Sequence, residues 1–143
     1  MAFTRQALAV YEKADADWKN TVKAHGAYVV LEGSSNPDIT VLATGSEVNM
    51  ALDAAKLVSG KKIRVVSVMD KNLFDKDEDF VQKVTGGAKR VVVAEAGISQ
   101  GWEGYAKKAD LYTLNTFGES APAAKVAEHF GFTPEKFADF LNR

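Results

Sequence analysis

The sequence predicts an α/β domain built on a mainly parallel sheet. From about Ala27, short β-branched apolar runs alternate with stretches of helical spacing, and the central runs are apolar nearly throughout rather than at every second position. The chain has 143 residues, which is the size of one ordinary domain. Strands that are apolar throughout need cover on both faces, so a helical layer on each side of the sheet follows.

In chain order, the first twenty-odd residues are rich in Ala, Lys and Asp and only weakly patterned. They read as a linker, residues 1–24, that wraps a domain of residues 25–143. Four runs then read as strands: Ala27 to Leu31, Ile39 to Ala43, Ile63 to Val68 and Val91 to Ala94, with a weaker fifth from Leu111 to Leu114. The turn Gly33-Ser34-Ser35-Asn36-Pro37-Asp38 makes the first two strands antiparallel neighbours or carries the chain to another sheet position. A helix is expected from Ser46 to Val58. There Val48, Ala51, Leu52, Ala55 and Val58 form one apolar stripe, Ser46 supplies the N-cap, Glu47 sits at the positive end of the helix dipole, and Gly60 ends the segment. A second helix is expected from about Asp75 to Val84, with Phe80, Val81 and Val84 facing inward. Near the C-terminus, Ala123, Val126, Ala127 and Phe130 form a stripe that stops at Gly131. Thr133-Pro134 then gives an N-cap and an N1 proline for a last helix carrying Phe137, Phe140 and Leu141.

Composition excludes several classes of function. Eighteen Lys+Arg against nineteen Asp+Glu give a formal charge of -1, which offers no electrostatic pull toward nucleic acid or an anionic membrane. There are no cysteines, so thiolate metal sites, iron–sulfur clusters, disulfides and cysteine nucleophiles drop out. No apolar run approaches the ~20 residues that span a bilayer, and the N-terminus lacks a secretory pattern, so a cytoplasmic, soluble domain is expected. Met1-Ala2 runs directly into Phe3-Thr4-Arg5 with no polar lead-in, as if cut from the middle of something longer, which composition alone does not decide.

The candidate sites each have a plain structural reading beside the functional one. Thr44-Gly45-Ser46-Glu47 joins a strand to a helix start, where α/β sheets bind anions, yet one glycine is too few for a phosphate cradle and Glu47 would repel the ligand; helix capping is the stronger reading. Asp75, Asp77, Glu78 and Asp79 suggest a cation site or, more simply, a solvated acidic helix start. Glu95 stands at a strand end, where catalytic carboxylates often sit, and Trp102 and Tyr105 follow it, either lining a pocket or packing under the loops. His25 and His129 are too far apart in sequence to suggest a ligand pair, and His129 is expected at the surface. Ser120 is available to cap the helix that Pro122 enters.

Several segments, taken together, carry a resemblance. Thr4-Arg5-Gln6, Gly26-Ala27-Tyr28-Val29-Val30, Pro37-Asp38-Ile39, Ala43-Thr44-Gly45-Ser46-Glu47-Val48 and Val65-Val66-Ser67-Val68 are followed by Phe74-Asp75-Lys76, Phe117-Gly118-Glu119-Ser120-Ala121-Pro122-Ala123 and Phe130-Gly131-Phe132-Thr133-Pro134-Glu135. In this order they resemble the C-terminal domain of transketolase over nearly the whole chain. The resemblance implies a three-layer α/β/α domain whose five-stranded mixed sheet has its first strand antiparallel to the others. It also implies a parent enzyme, a homodimer, that moves a two-carbon ketol unit between sugar phosphates with thiamine diphosphate and a divalent cation such as Mg²⁺. The diphosphate-binding GDG motif is absent from these residues, so the chain alone is expected to be inactive, to hold no cofactor, and to act as a structural and interface domain for the remaining domains and the second subunit. Arg5, in the T-R-Q match, corresponds to an arginine that contacts the substrate phosphate, a role that suits a planar, permanently charged guanidinium. The other readings are a free-standing regulatory anion-binding module, a dimerisation module, or the equivalent domain of a related thiamine-diphosphate enzyme.

Overall fold

In a computed structural model, which describes residues 7–13 and 15–143, the strands β1 (Ala27–Leu31), β2 (Ile39–Ala43), β3 (Ile63–Val68), β4 (Arg90–Glu95) and β5 (Leu111–Thr113) form one sheet. Its order is β1-β3-β2-β4-β5. β1 is antiparallel to β3, and the other three pairings are parallel, with Ala43 of β2 level with Ser67 of β3 and Ala94 of β4. This is the mixed sheet that the resemblance implies. The turn from Gly33 to Asp38 therefore joins strands that are not neighbours, because β3 lies between them.

Alternate residues of the central strands feed two cores. Tyr28, Val41, Ala43, Val65, Val92 and Ala94 face α2 (Glu47–Leu57) and α6 (Pro134–Asn142), which contribute Val48, Ala51, Phe137 and Leu141. Ala27, Leu42, Val66, Val68 and Val93 face α3 (Lys71–Lys76) and α4 (Glu78–Thr85), which contribute Phe74, Phe80 and Val84, together with Trp102 from the connection between β4 and β5. Every residue of β2 and β3 is buried, which explains why those runs carry no polar alternation. Helices on both faces complete the three layers.

Several local expectations need correction. Residues Trp18–His25, all but the last in the segment 1–24 read as a linker, form helix α1, and Trp18 and Val22 pack one turn apart against the first core. Gly26 ends that helix with φ 73°. The helix expected from Asp75 to Val84 is two helices, because the Asp70 carboxylate accepts from Leu73 N–H and the Asp77 carboxylate accepts from Phe80 N–H, so each aspartate starts its own helix. On α2 the inward stripe includes Met50 and Ala54, while Leu52 and Ala55 are only half-buried. Ser46 occupies the N-cap position of α2 without a side-chain capping bond. Pro122, not Ser120, is the N-cap of α5 (Ala123–Phe130), whereas Thr133 caps α6 through Lys136 N–H as expected.

Candidate functional site at the switch point of the sheet

β2 and β4 lie side by side, but their connections leave in opposite directions. From β2 the chain passes through α2 on the first face and returns to β3; from β4 it passes through Trp102 on the second face and reaches β5. The crevice between the C-terminal ends of two such strands is where open α/β sheets take ligands. Here Thr44 leaves β2, Glu95 ends β4, and the Thr44 hydroxyl donates to Glu95 Oε2 at 2.7 Å, tying the two strand ends together.

Glu47, the first residue of α2, lies beside this link and is 9% exposed. The Ser46 hydroxyl donates to its Oε1 at 2.7 Å. Burial pushes the Glu47 carboxyl above the ordinary glutamate value; the Ser46 hydrogen bond opposes that shift and repulsion from Glu95 adds to it. Gly45, with φ 46°, turns the loop between them, and a Cβ there would meet nothing nearer than Glu47 Oε2 at 3.8 Å. The sequence places a helix N-terminus at this crevice, but it fills the crevice with two carboxylates. That charge repels phosphate and diphosphate and attracts a cationic group, so the site does not suit the anion-binding reading of Thr44 to Glu47.

The remaining candidates separate. Asp75 accepts from Lys71 Nζ at 2.7 Å and from the Tyr105 hydroxyl, and these bonds hold it low against the burial that raises it. Asp77 pairs instead with His25 Nδ1 at 2.6 Å, and that bond, with the one from Phe80 N–H, lowers its pKa. The acidic run therefore does not converge, and among the described residues no three His, Asp or Glu side chains come together as a metal site would need. Trp102 is buried under Lys71, whose ammonium lies 4.9 Å from the Trp102 ring and 5.1 Å from that of Tyr105, so both aromatics pack the β4–β5 connection onto α3. His129 is exposed, 3.6 Å from Glu119. Arg5 lies outside the described residues.

Two arrangements were missed. The Thr44–Glu95 and His25–Asp77 contacts join residues 51 and 52 positions apart, and no local spacing announces such pairs. Only the strand-end position of Glu95 pointed toward the first of them.

Comparison with known proteins identifies the setting. Residues 26–133 match the family model described as a transketolase-like C-terminal domain. The chain belongs to that family. It is 46% identical over 141 residues to the transketolase of Treponema pallidum, a match that covers 99% of this chain and 21% of that protein. A crystal structure of a transketolase mutant from Pichia stipitis superposes with a TM-score of 0.83 at 32% identity, covering 96% of this chain and 20% of the other. The transketolase of the same organism in complex with sedoheptulose 7-phosphate gives a TM-score of 0.81 at 33% identity, covering 94% and 19%. This transketolase domain thus spans about a fifth of the length of the relatives it matches. Its switch-point residues Thr44 to Glu47 and Glu95, and the segment Phe117 to Ala123, all fall within the matched range.

Proposed function

We propose that the chain acts as the C-terminal domain of a transketolase, in which it has a structural and interface role and carries out no chemical step itself. The observation that carries this reading is the match at 46% identity along 99% of the chain to one fifth of a curated transketolase. In this proposal the whole enzyme transfers a two-carbon ketol unit between sugar phosphates with thiamine diphosphate and a divalent cation. It works in the cytoplasm as a homodimer, and among the described residues no helix is long and apolar enough to cross a membrane.

The cofactor belongs elsewhere in such an enzyme. A diphosphate and its metal need anion-binding donors and several convergent oxygen ligands. The switch point offers two carboxylates, one of them raised by burial, and that donor set does not fit. In this proposal the chain's sugar-phosphate contact is Arg5, in the segment that precedes α1. A guanidinium there would hold a phosphate oxygen pair in a bidentate grip. A solved relative from Pichia stipitis carries a sugar phosphate, which supports that substrate class.

The test is an assay of the 143-residue chain with ketose phosphate, aldose phosphate, thiamine diphosphate and Mg²⁺, with cofactor binding followed by calorimetry. No turnover and no cofactor binding are expected. Ketol transfer by the chain alone would overturn the reading.

A further inference from the structure

The segments that lead into the four parallel strands are basic. Residues 36–38 precede β2, 61–62 precede β3, 88–90 enter β4 and 107–110 precede β5. Together they carry six cations, Lys61, Lys62, Lys89, Arg90, Lys107 and Lys108, against two carboxylates, Asp38 and Asp110. Direct contacts join these segments into one strip at the end of the sheet opposite the switch point. Asp38 accepts from Lys62 N–H at 2.8 Å and from Lys89 Nζ at 2.7 Å, and Arg90 Nε donates at 2.6 Å to Asp110, in the turn that holds Lys108. The whole chain has a formal charge of -1, so this excess of cations is local.

Part of that charge is used within the fold. Lys61 Nζ donates to Leu141 O at 2.8 Å, and Arg90 Nη1 donates to Phe140 O and Leu141 O, each at 3.2 Å, so both close the end of α6, where the helix dipole favours a cation. Lys89 is paired with Asp38. Lys62, Lys107 and Lys108 are exposed and make no ion pair or side-chain hydrogen bond among the described residues. The other carboxylates at this end do not offset them. Glu32 is bonded to Arg64 and Asp53 to Lys56, while Asp139 of α6, unpaired among the described residues, is outnumbered by Lys83 and Arg143 at the ends of α4 and α6. The bond from Lys62 N–H, and then that from Lys89, hold the Asp38 carboxyl below the usual aspartate value, so the strip favours a carboxylate in its charged form.

We propose that this strip, with Lys62, Lys107 and Lys108 as its free charges, binds an acidic segment of another protein. The inference stands apart from the ketol-transfer reading. Three observations select the occupant. The leading segments contain no aromatic residue, so they offer no platform on which bases could stack, and the net charge of the whole chain opposes a long phosphate backbone. The C-terminal ends of α2, α4 and α6 turn their carbonyls toward this end of the sheet, which disfavours a small anion held against the backbone and leaves contact to the outer ammonium groups. An extended run of carboxylates meets all three lysines at the surface without entering the fold, by charge complementarity that salt screens.

The experiment titrates the 143-residue chain into a fluorescein-labelled peptide of alternating Glu and Gly and follows anisotropy. Binding is expected to weaken by about tenfold or more between about 0.1 M and about 1 M salt, as the screening length falls from ~10 to ~3 Å. At about 0.1 M salt, Lys62→Glu, Lys107→Glu and Lys108→Glu combined should weaken it by about tenfold or more, and the three Lys→Gln changes by roughly threefold, with the circular dichroism of the parent retained because these side chains are exposed and unpaired. Lys19→Glu with Lys23→Glu, exposed on α1, should leave affinity within about twofold of the parent. No binding at about 0.1 M salt, or binding that survives both sets of substitutions, overturns the proposal. Equal affinity for a single-stranded oligonucleotide of the same charge, lost in the same variants, overturns the choice of occupant in favour of a phosphate polymer. Salt-sensitive self-association of the chain alone that the same variants abolish overturns it in favour of a second copy.

Discussion

Gly26 and Gly60 share a backbone conformation but differ in surroundings, and replacing each by Ala separates two energies. Both have φ 73°. Placing an L side chain in that left-handed region costs about 1 kcal/mol or slightly more at either site. At Gly60 nothing lies within 4 Å of the new Cβ, so the conformational cost should be the whole effect. At Gly26 the Cβ would sit 2.2 Å from Asp70 O and 2.8 Å from Phe74 N, backbone atoms that cannot turn aside. Relief requires α3 to move by about an ångström, straining the bonds from Met69 N–H and Asp70 N–H to Gly26 O, each 2.8 Å long. With each such bond worth about 1 kcal/mol, Gly26→Ala should cost about 3 kcal/mol or more, a large share of the 5–15 kcal/mol that holds a domain together. Urea unfolding followed by circular dichroism measures both. Equal losses at the two positions would refute the close approach of α1, β1 and α3 at Gly26.

Other expectations concern charge and packing. Because burial raises the Glu47 pKa, the folded state holds that proton more tightly than the unfolded chain, and stability falls as pH rises through the ordinary glutamate value toward the raised one. Glu47→Gln should therefore gain on the parent at pH 7, by up to about 1 kcal/mol, and not at pH 4, as urea midpoints at the two pH values would reveal. The sign reverses for Asp77, whose pKa is lowered by His25 and Phe80 N–H: its contribution is present above the ordinary aspartate value and lost as pH falls through the lowered one. Asp77→Asn keeps a capping side chain but loses the charge, so its deficit relative to the parent should shrink on acidification. Phe137, fully buried between α6 and the sheet and packed on Tyr112 at 4.8 Å, should cost about 3–5 kcal/mol as Phe137→Ala in the same assay.

The strands were legible because β2 and β3 are covered on both faces, so Val, Ile, Leu and Ala dominate their runs and the few polar residues, Thr40, Arg64 and Ser67, are buried with them rather than alternating outward. Their order was not. Nothing local in the turn from Gly33 to Asp38 says that β3 will insert between β1 and β2, and the antiparallel first strand came from resemblance rather than from residue patterning. Helix α1 was hidden by its surface composition, although the Trp18–Val22 spacing and the closing Gly26 were its signals. The break at Asp77 had a signal too: Asp70 and Asp77 each stand three residues before the N–H they cap, but the crowding of carboxylates drew attention to charge instead. At the site, the strand ends and the helix start could be placed from sequence. The Thr44–Glu95 bond could not, because it depends on β2 and β4 being neighbours.

The proposed role of this chain, one domain of a larger ketol-transferring enzyme, can be measured in a chimaera. The decisive quantity is steady-state ketol transfer by a hybrid in which this chain replaces the matching fifth of the Treponema pallidum transketolase, measured beside the same protein lacking that fifth. Turnover restored by this chain to within about tenfold of the natural enzyme, a deficit of about 1.4 kcal/mol or less in transition-state stabilisation, is the predicted result. A correctly folded hybrid that performs no better than the protein without the domain would contradict it.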